Sequence, residues 1–130
     1  MSMNTLTAYK ILIVEEDREI CMMIQEFLHY AGIISTVEFA HDCVEANDKA
    51  ETESYDMIFA DGTLTREHIK SVIKNFRSSD SNLNQIPIFF ISPKNESLDV
   101  NLPDSHKLHH YSINSFLYDN FYSDVVRLAQ

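Results

Sequence analysis

Two apolar runs in this sequence each end in carboxylates. Residues 11–14 are followed by Glu15 and Glu16, and residues 57–60 are followed by Asp61. Carboxylates gathered at one place repel one another unless protons or a cation neutralise them, and hard divalent cations prefer oxygen ligands. The sequence therefore predicts a divalent-metal site, provided that the two runs lie side by side.

The apolar runs themselves have the pattern of buried parallel strands. Four apolar residues without alternation suit a strand that is covered on both faces. Ligands of open α/β sheets bind at the edge formed by the carboxyl ends of the strands, which we call the carboxyl edge. A third run, residues 86–91, ends in Ser92. We therefore expect Glu15, Glu16, Asp61 and Ser92 to meet at the carboxyl edge.

The rest of the chain alternates between strand and helix patterns. The predicted strands are residues 10–14, 33–39, 55–61, 86–91 and 108–113. The predicted helices are residues 18–31, a helix that Asp42 caps and that ends near residue 53, residues 66–77, and a last helix that ends near residue 129. A fourth helix, within residues 93–107, is expected to be short or absent. Five strands in β–α alternation predict an α/β fold with a doubly wound parallel sheet, a three-layer sandwich.

Composition limits the classes of function. A chain of 130 residues suits one domain, which we expect at residues 10–130 after a leader of residues 1–9. The net charge of -10 argues against binding to nucleic acid or to an anionic membrane. No apolar stretch approaches the roughly 20 residues that span a bilayer. Cys21 and Cys43 form no disulfide framework, which favours reduced thiols in the cytoplasm.

The order of these motifs resembles the receiver domain of bacterial response regulators, a flavodoxin-like module of two-component signalling. The resemblance rests on residues 11–17, on the strand that ends in Asp61 and on residues 86–92, and it covers about residues 10–129. It implies a signalling module rather than an enzyme. It also implies a phosphorelay in which a histidine kinase is the partner.

The resemblance assigns roles to residues by position. Asp61 falls on the phospho-acceptor, and Glu15 with Glu16 fall on the acidic pair that holds Mg²⁺. Thr63 falls where a backbone carbonyl completes the metal site. Ser92 falls on the hydroxyl residue that contacts the phosphoryl group.

Other positions depart from the family pattern. Tyr111 matches the aromatic residue that changes rotamer on activation, but Asn114 replaces the family lysine and Ser115 replaces the usual following proline. Glu16 replaces the usual aspartate, and its longer side chain displaces the carboxylate, which near-octahedral Mg²⁺ tolerates poorly. An amide carries no charge with which to neutralise a phosphoryl oxygen. These replacements predict weak Mg²⁺ binding and a degenerate active site.

Three functions follow from these observations. The favoured one is an atypical receiver or pseudo-receiver that acts through protein–protein contacts with a histidine kinase, another signalling protein or a second copy of itself. The alternative is a functional receiver that a histidine kinase phosphorylates on Asp61. A flavodoxin-like cofactor binder is less supported, because no glycine-rich phosphate loop follows the first strand.

Several residues also suit purely structural roles. Asp17 precedes a predicted helix and suits an N-cap. Tyr111 suits ordinary packing with its hydroxyl in water. His106, His109 and His110 could be metal ligands, but no fourth ligand is evident, so we expect them in a solvated loop.

Overall fold

Uninterrupted apolar runs form the three central strands of the fold. The computed structural model describes residues 8–62, 65–92 and 107–112, with residues 111 and 112 described by their backbone alone. Its elements in chain order are β1 (Tyr9–Val14), α1 (Arg18–Tyr30), β2 (Ser35–Ala40), α2 (Cys43–Lys49), β3 (Met57–Asp61), α3 (Arg66–Arg77), β4 (Ile88–Ser92) and β5 (Leu108–Ser112). All pairings are parallel, in the order β2-β1-β3-β4-β5. The predicted α/β fold is confirmed, while the expected fourth and last helices lie outside the described residues.

The end of α1 explains why β2 starts later than predicted. Gly32 has a φ of 79°, a left-handed conformation that glycine adopts without strain. Its N–H donates to the carbonyl of His29, and the N–H of Ile33 donates to the carbonyl of Leu28. These two bonds make a Schellman motif, which satisfies carbonyls that the helix leaves open. Ile33 is therefore used in closing α1, and β2 begins at Ser35.

Helix α2 begins as predicted but ends early. The Asp42 side chain accepts from the N–H of Glu45 at 2.9 Å, as the capping pattern indicates. The helix ends at Lys49 instead of near residue 53. Its apolar face is thin, since Val44 is 69% exposed and Ala46 is the buried residue within the helix. A helix with so little to bury gains little from further turns.

The strand residues alternate between two packed layers. One face of the sheet carries Ile11, Ile13, Met57, Phe59, Phe89 and Ile91, which form one buried cluster with apolar side chains of α1. The opposite face carries Leu12, Val14, Ile58, Ala60, Ile88 and Phe90, which form a second buried cluster with side chains of α2 and α3. Because strand side chains point alternately to either face, both faces of these strands are apolar. The resulting sheet is a rigid support for the residues at its carboxyl edge.

Arg77 ties the end of α3 to the segments that precede β4 and β5. Its Nη1 donates to the carbonyl of Leu83 at 3.0 Å, and its Nη2 donates to the carbonyls of Ile86 at 2.7 Å and Lys107 at 3.5 Å. Burial lowers the pKa of the guanidinium, which nevertheless stays charged. Ile86 lies in a turn, because its N–H donates to the carbonyl of Leu83. Strand β4 therefore starts at Ile88 rather than at residue 86.

We expect Arg77→Ala to lower the free energy of unfolding by about 1–3 kcal/mol, because carbonyls inside the fold lose a charged donor. Lys74 is the matched control, since it is an exposed cation on the same helix. Its replacement by alanine should change stability by no more than about 0.5 kcal/mol. Urea unfolding followed by circular dichroism measures both, and equal effects would contradict the role given to Arg77.

Candidate functional site

The structure brings Asp61 and Ser92 to the same part of the carboxyl edge. Asp61 is the last residue of β3, is 7% exposed and pairs in register with Ile91 of β4. Ser92 follows Ile91 and is 1% exposed. The N–H of Gly62 donates to the carbonyl of Ile91 at 2.8 Å and continues the pairing past Asp61. A carboxylate and a hydroxyl thus lie at neighbouring strand ends, as predicted.

Glu15 extends β1 toward this place. Its N–H donates to the carbonyl of Ala40 at 2.9 Å, and its Oε2 accepts from the N–H of Asp17 at 2.8 Å. Burial raises the pKa of the Glu15 carboxyl, and the negative charge of Asp61 raises it further. Glu15 and Asp61 follow Val14 and Ala60, which pair between β1 and β3, so the two acids lie at adjacent strand ends. Glu16 is exposed.

Asp17 has the structural role that its position allows. Its Oδ1 accepts from the N–H of Glu19 at 2.9 Å, which caps α1. The N–H of Cys21 donates to the backbone carbonyl of Asp17 at 3.1 Å. Burial raises the pKa of the Cys21 thiol, so this side chain stays protonated near neutral pH. These contacts hold the acidic loop against the start of the helix.

The acidic residues fit a hard divalent cation by their chemistry. Glu15 and Asp61 supply carboxylate oxygens, and their mutual repulsion is what a cation would relieve. Within residues 8–62, 65–92 and 107–112, however, no three His, Cys, Asp or Glu side chains converge as metal ligands. Thr63 lies outside the described residues. The metal site formed by Glu15, Glu16, Asp61 and Thr63 therefore stays a prediction.

His110 is the residue that sequence reasoning missed. Its Nε2 lies 2.8 Å from the Oγ of Ser92. Burial lowers the pKa of the His110 imidazole, which favours the neutral ring at pH 7. The expectation of a solvated loop is wrong for His109 and His110, because both belong to β5 and the ring of His109 lies 5.1 Å from that of Phe89.

Gly62 is needed for this contact. A Cβ at position 62 would lie 2.8 Å from the Oγ of Ser92 and 3.1 Å from the Cδ2 of His110. Any side chain there would push the serine and the histidine away. The residue after Asp61 is therefore a glycine for reasons of space, and Gly62, Ser92 and His110 form one packed group.

The sequence analysis singled out Tyr111 through the family resemblance, and the contact of His110 depends on the register of β5 against β4. Position 110 is in register with Phe90, and position 111 is in register with Ile91. A shift of one residue moves a side chain to the other face of the sheet, and sequence patterns alone do not fix that register. The side chain of Tyr111 and the whole of Asn114 lie outside what the structure describes, so their roles stay predictions.

The family model for the response regulator receiver domain matches residues 11–110. The chain belongs to this family. The match spans Glu15, Asp61 and Ser92 and ends at His110. No curated protein has a sequence significantly similar to that of this chain.

Solved structures show the same fold. The receiver domain of a sensor histidine kinase from Pseudomonas aeruginosa, with magnesium coordinated in its active site cleft, is 19% identical with a TM-score of 0.65, and the match covers 95% of this chain and 98% of that one. A chemotaxis response regulator of Vibrio cholerae is 22% identical with a TM-score of 0.63, over 94% and 99% of the two chains. A two-component response regulator from Clostridium difficile is 25% identical with a TM-score of 0.62, over 92% and 94%.

No helix in the described part of this receiver domain has the length and apolar character needed to cross a membrane. Helix α1, with 13 residues, is the longest of the three described helices. It packs one apolar face against the sheet through Cys21, Ile24, Phe27 and Leu28. The amphipathic pattern of the sequence is thus used for packing onto the sheet.

Proposed function

We propose that this receiver domain is a degenerate one, in which Asp61 accepts a phosphoryl group poorly and signalling depends on protein–protein contacts. The observation that carries the proposal is that the site retains some of the family's functional residues and has lost another. Asp61 lies buried at the end of β3 beside Ser92, yet Asn114 stands at the position of the family lysine. The nucleophile and the hydroxyl are retained, and a positive charge is replaced by a neutral amide.

The chemistry of phosphoryl transfer explains why that replacement matters. A carboxylate oxygen of Asp61 attacks phosphorus and forms an O–P bond, while the bond from phosphorus to the donor breaks and the donor leaves with the electron pair. Catalysis of such a step is mostly positioning and the stabilisation of charge on the phosphoryl oxygens. Ser92 and Asn114 offer neutral donors, and charge-assisted hydrogen bonds are roughly twice as strong. The transfer is therefore slow rather than abolished.

We also propose that the site binds Mg²⁺ weakly. Glu15, Glu16, Asp61 and the carbonyl of Thr63 would hold it, and a bound Mg²⁺ would neutralise charge on the phosphoryl oxygens. The magnesium in the cleft of the Pseudomonas aeruginosa receiver domain supports this assignment. The longer side chain of Glu16 makes the predicted affinity weak.

A Mg²⁺ titration followed by NMR should move the backbone resonances of Glu15, Glu16 and Asp61, with saturation only at high metal concentration. Glu15→Gln should weaken binding severalfold, because it removes a carboxylate from the cluster. The matched control is Glu51→Gln, an exposed acid in the turn after α2. Unchanged resonances at high excess of Mg²⁺, or equal effects of the two variants, would refute the predicted metal site.

The partners of the proposed module are a histidine kinase or another signalling protein, with a homodimer as a further form of contact. We infer that the domain lies in the cytoplasm, where its thiols stay reduced. The net charge of -10 supports a domain that itself binds neither nucleic acid nor an anionic membrane. A flavodoxin-like cofactor binder is not favoured by the family match.

Intact-mass measurement after incubation with acetyl phosphate and Mg²⁺ tests the proposal. The parent should gain the mass of one phosphoryl group in a small fraction of molecules, and Asp61→Asn should gain none. The second candidate is a functional receiver, which the placement of Asp61 at the buried end of β3 supports. The extent of labelling separates a degenerate receiver from a functional one. Labelling that survives in Asp61→Asn would refute the assignment of the acceptor.

A further inference from the structure

The hydroxyl of Ser92 is almost fully enclosed, with 1% of the residue exposed. A polar group so deeply buried needs a hydrogen-bond partner, and leaving it without one costs free energy. The structure supplies that partner from the neighbouring strand, since the Nε2 of His110 lies 2.8 Å from the Oγ. The pairing joins the end of β4 to the middle of β5.

The contact between Ser92 and His110 also depends on Gly62, the residue that follows Asp61. The space above Gly62 is filled by the Oγ of Ser92 and by the imidazole of His110, so closely that a Cβ has no room. The rigid pairing of Asp61 with Ile91 fixes the distance between the two strand ends. Movement of His110 would therefore change the position of the Ser92 hydroxyl relative to Asp61.

We propose that His110 is a positioning residue for the Asp61 site, acting through the hydroxyl of Ser92. A hydroxyl with no fixed partner rotates freely about its Cβ–Oγ bond. In the Nε2–H tautomer, His110 donates to the Oγ, which restricts the hydroxyl to few orientations and leaves its proton free for a phosphoryl oxygen. The inference rests on the proposed function, because the hydroxyl is positioned for a phosphoryl group on Asp61. It adds a residue from β5 to the site, beyond the hydroxyl and the carboxylates.

Substitutions at position 110 separate hydrogen bonding from packing. His110→Phe keeps an aromatic ring but removes the nitrogen, and His110→Gln keeps a polar group at a comparable reach. With acetyl phosphate and Mg²⁺, His110→Phe should slow the initial labelling of Asp61 about threefold to tenfold, the effect of one neutral hydrogen bond. His110→Gln should stay within about twofold of the parent, since an amide can replace the bond.

The Ser92→Ala background shows whether the histidine acts through the serine. There, His110→Phe should have no additional effect, because the bond is already lost. A full additional loss in that background, or a His110→Gln variant as slow as His110→Phe, would overturn the proposal. Thermal unfolding by circular dichroism confirms that each variant is folded.

A second measurement does not depend on labelling. Asp61→Asn should shift the Nε2 resonance of His110 in a ring-¹⁵N NMR spectrum, and the shift should be much smaller when Ser92 is alanine. Equal shifts in both backgrounds would overturn the positioning role. An unlabelled parent would instead refute the acceptor role of Asp61, and the ring resonance would still decide the role of His110.

Discussion

Replacing Phe89 with alanine should lower the free energy of unfolding by about 3–5 kcal/mol, which is the range for a phenylalanine removed from a packed core. Phe89 is fully buried in β4, and its ring stacks on that of Phe59 with 5.0 Å between centroids. The truncation removes this contact and leaves a cavity in the buried cluster to which Phe89 and Phe59 belong. Because small domains have only about 5–15 kcal/mol of stability, the midpoint of urea unfolding should fall strongly.

Phe39 provides the matched control for this prediction. It is a phenylalanine in β2 that is 41% exposed, so the same chemical change removes less buried area. We expect Phe39→Ala to cost roughly 1 kcal/mol. Equal losses in the two variants would show that the buried cluster around Phe89 is not the packed core described here.

The central strands could be predicted from the sequence because their signal is local. Runs such as residues 11–14 and 57–60 have no polar residue to turn outward, so they fit only a strand covered on both faces. The start of α2 was equally local, since Asp42 and Glu45 make the cap within four residues. The end of α2 could not be predicted from local residues, because it depends on how much apolar surface the rest of the fold offers to the helix.

The candidate site could be predicted in part for the same reason. Asp61 and Ser92 end strands, so their place at the carboxyl edge follows from the parallel order. The contact of Ser92 with His110 depends on the register of β5 against β4, which is a property of the whole sheet. Gly62 gave no sign of its role, since a glycine after a strand also suits an ordinary turn.

Asn114→Lys should increase the labelling of Asp61 by an acyl-phosphate donor. A lysine ammonium at the position of the family lysine would restore a charge-assisted bond to the phosphoryl group. If the transition state gains about 1.4 kcal/mol from that bond, the rate rises about tenfold. Asn114→Gln is the matched control, because it lengthens the side chain without adding charge, and it should label no faster than the parent.

The most direct test of a degenerate receiver is the time course of labelling, followed by intact mass, for the parent, Asn114→Lys and Asp61→Asn. The samples contain acetyl phosphate and Mg²⁺ in excess. We predict slow and incomplete labelling of the parent, faster labelling of Asn114→Lys, and none of Asp61→Asn. Rapid stoichiometric labelling of the parent, abolished by Asp61→Asn, would contradict the degenerate site and identify an ordinary phospho-acceptor receiver.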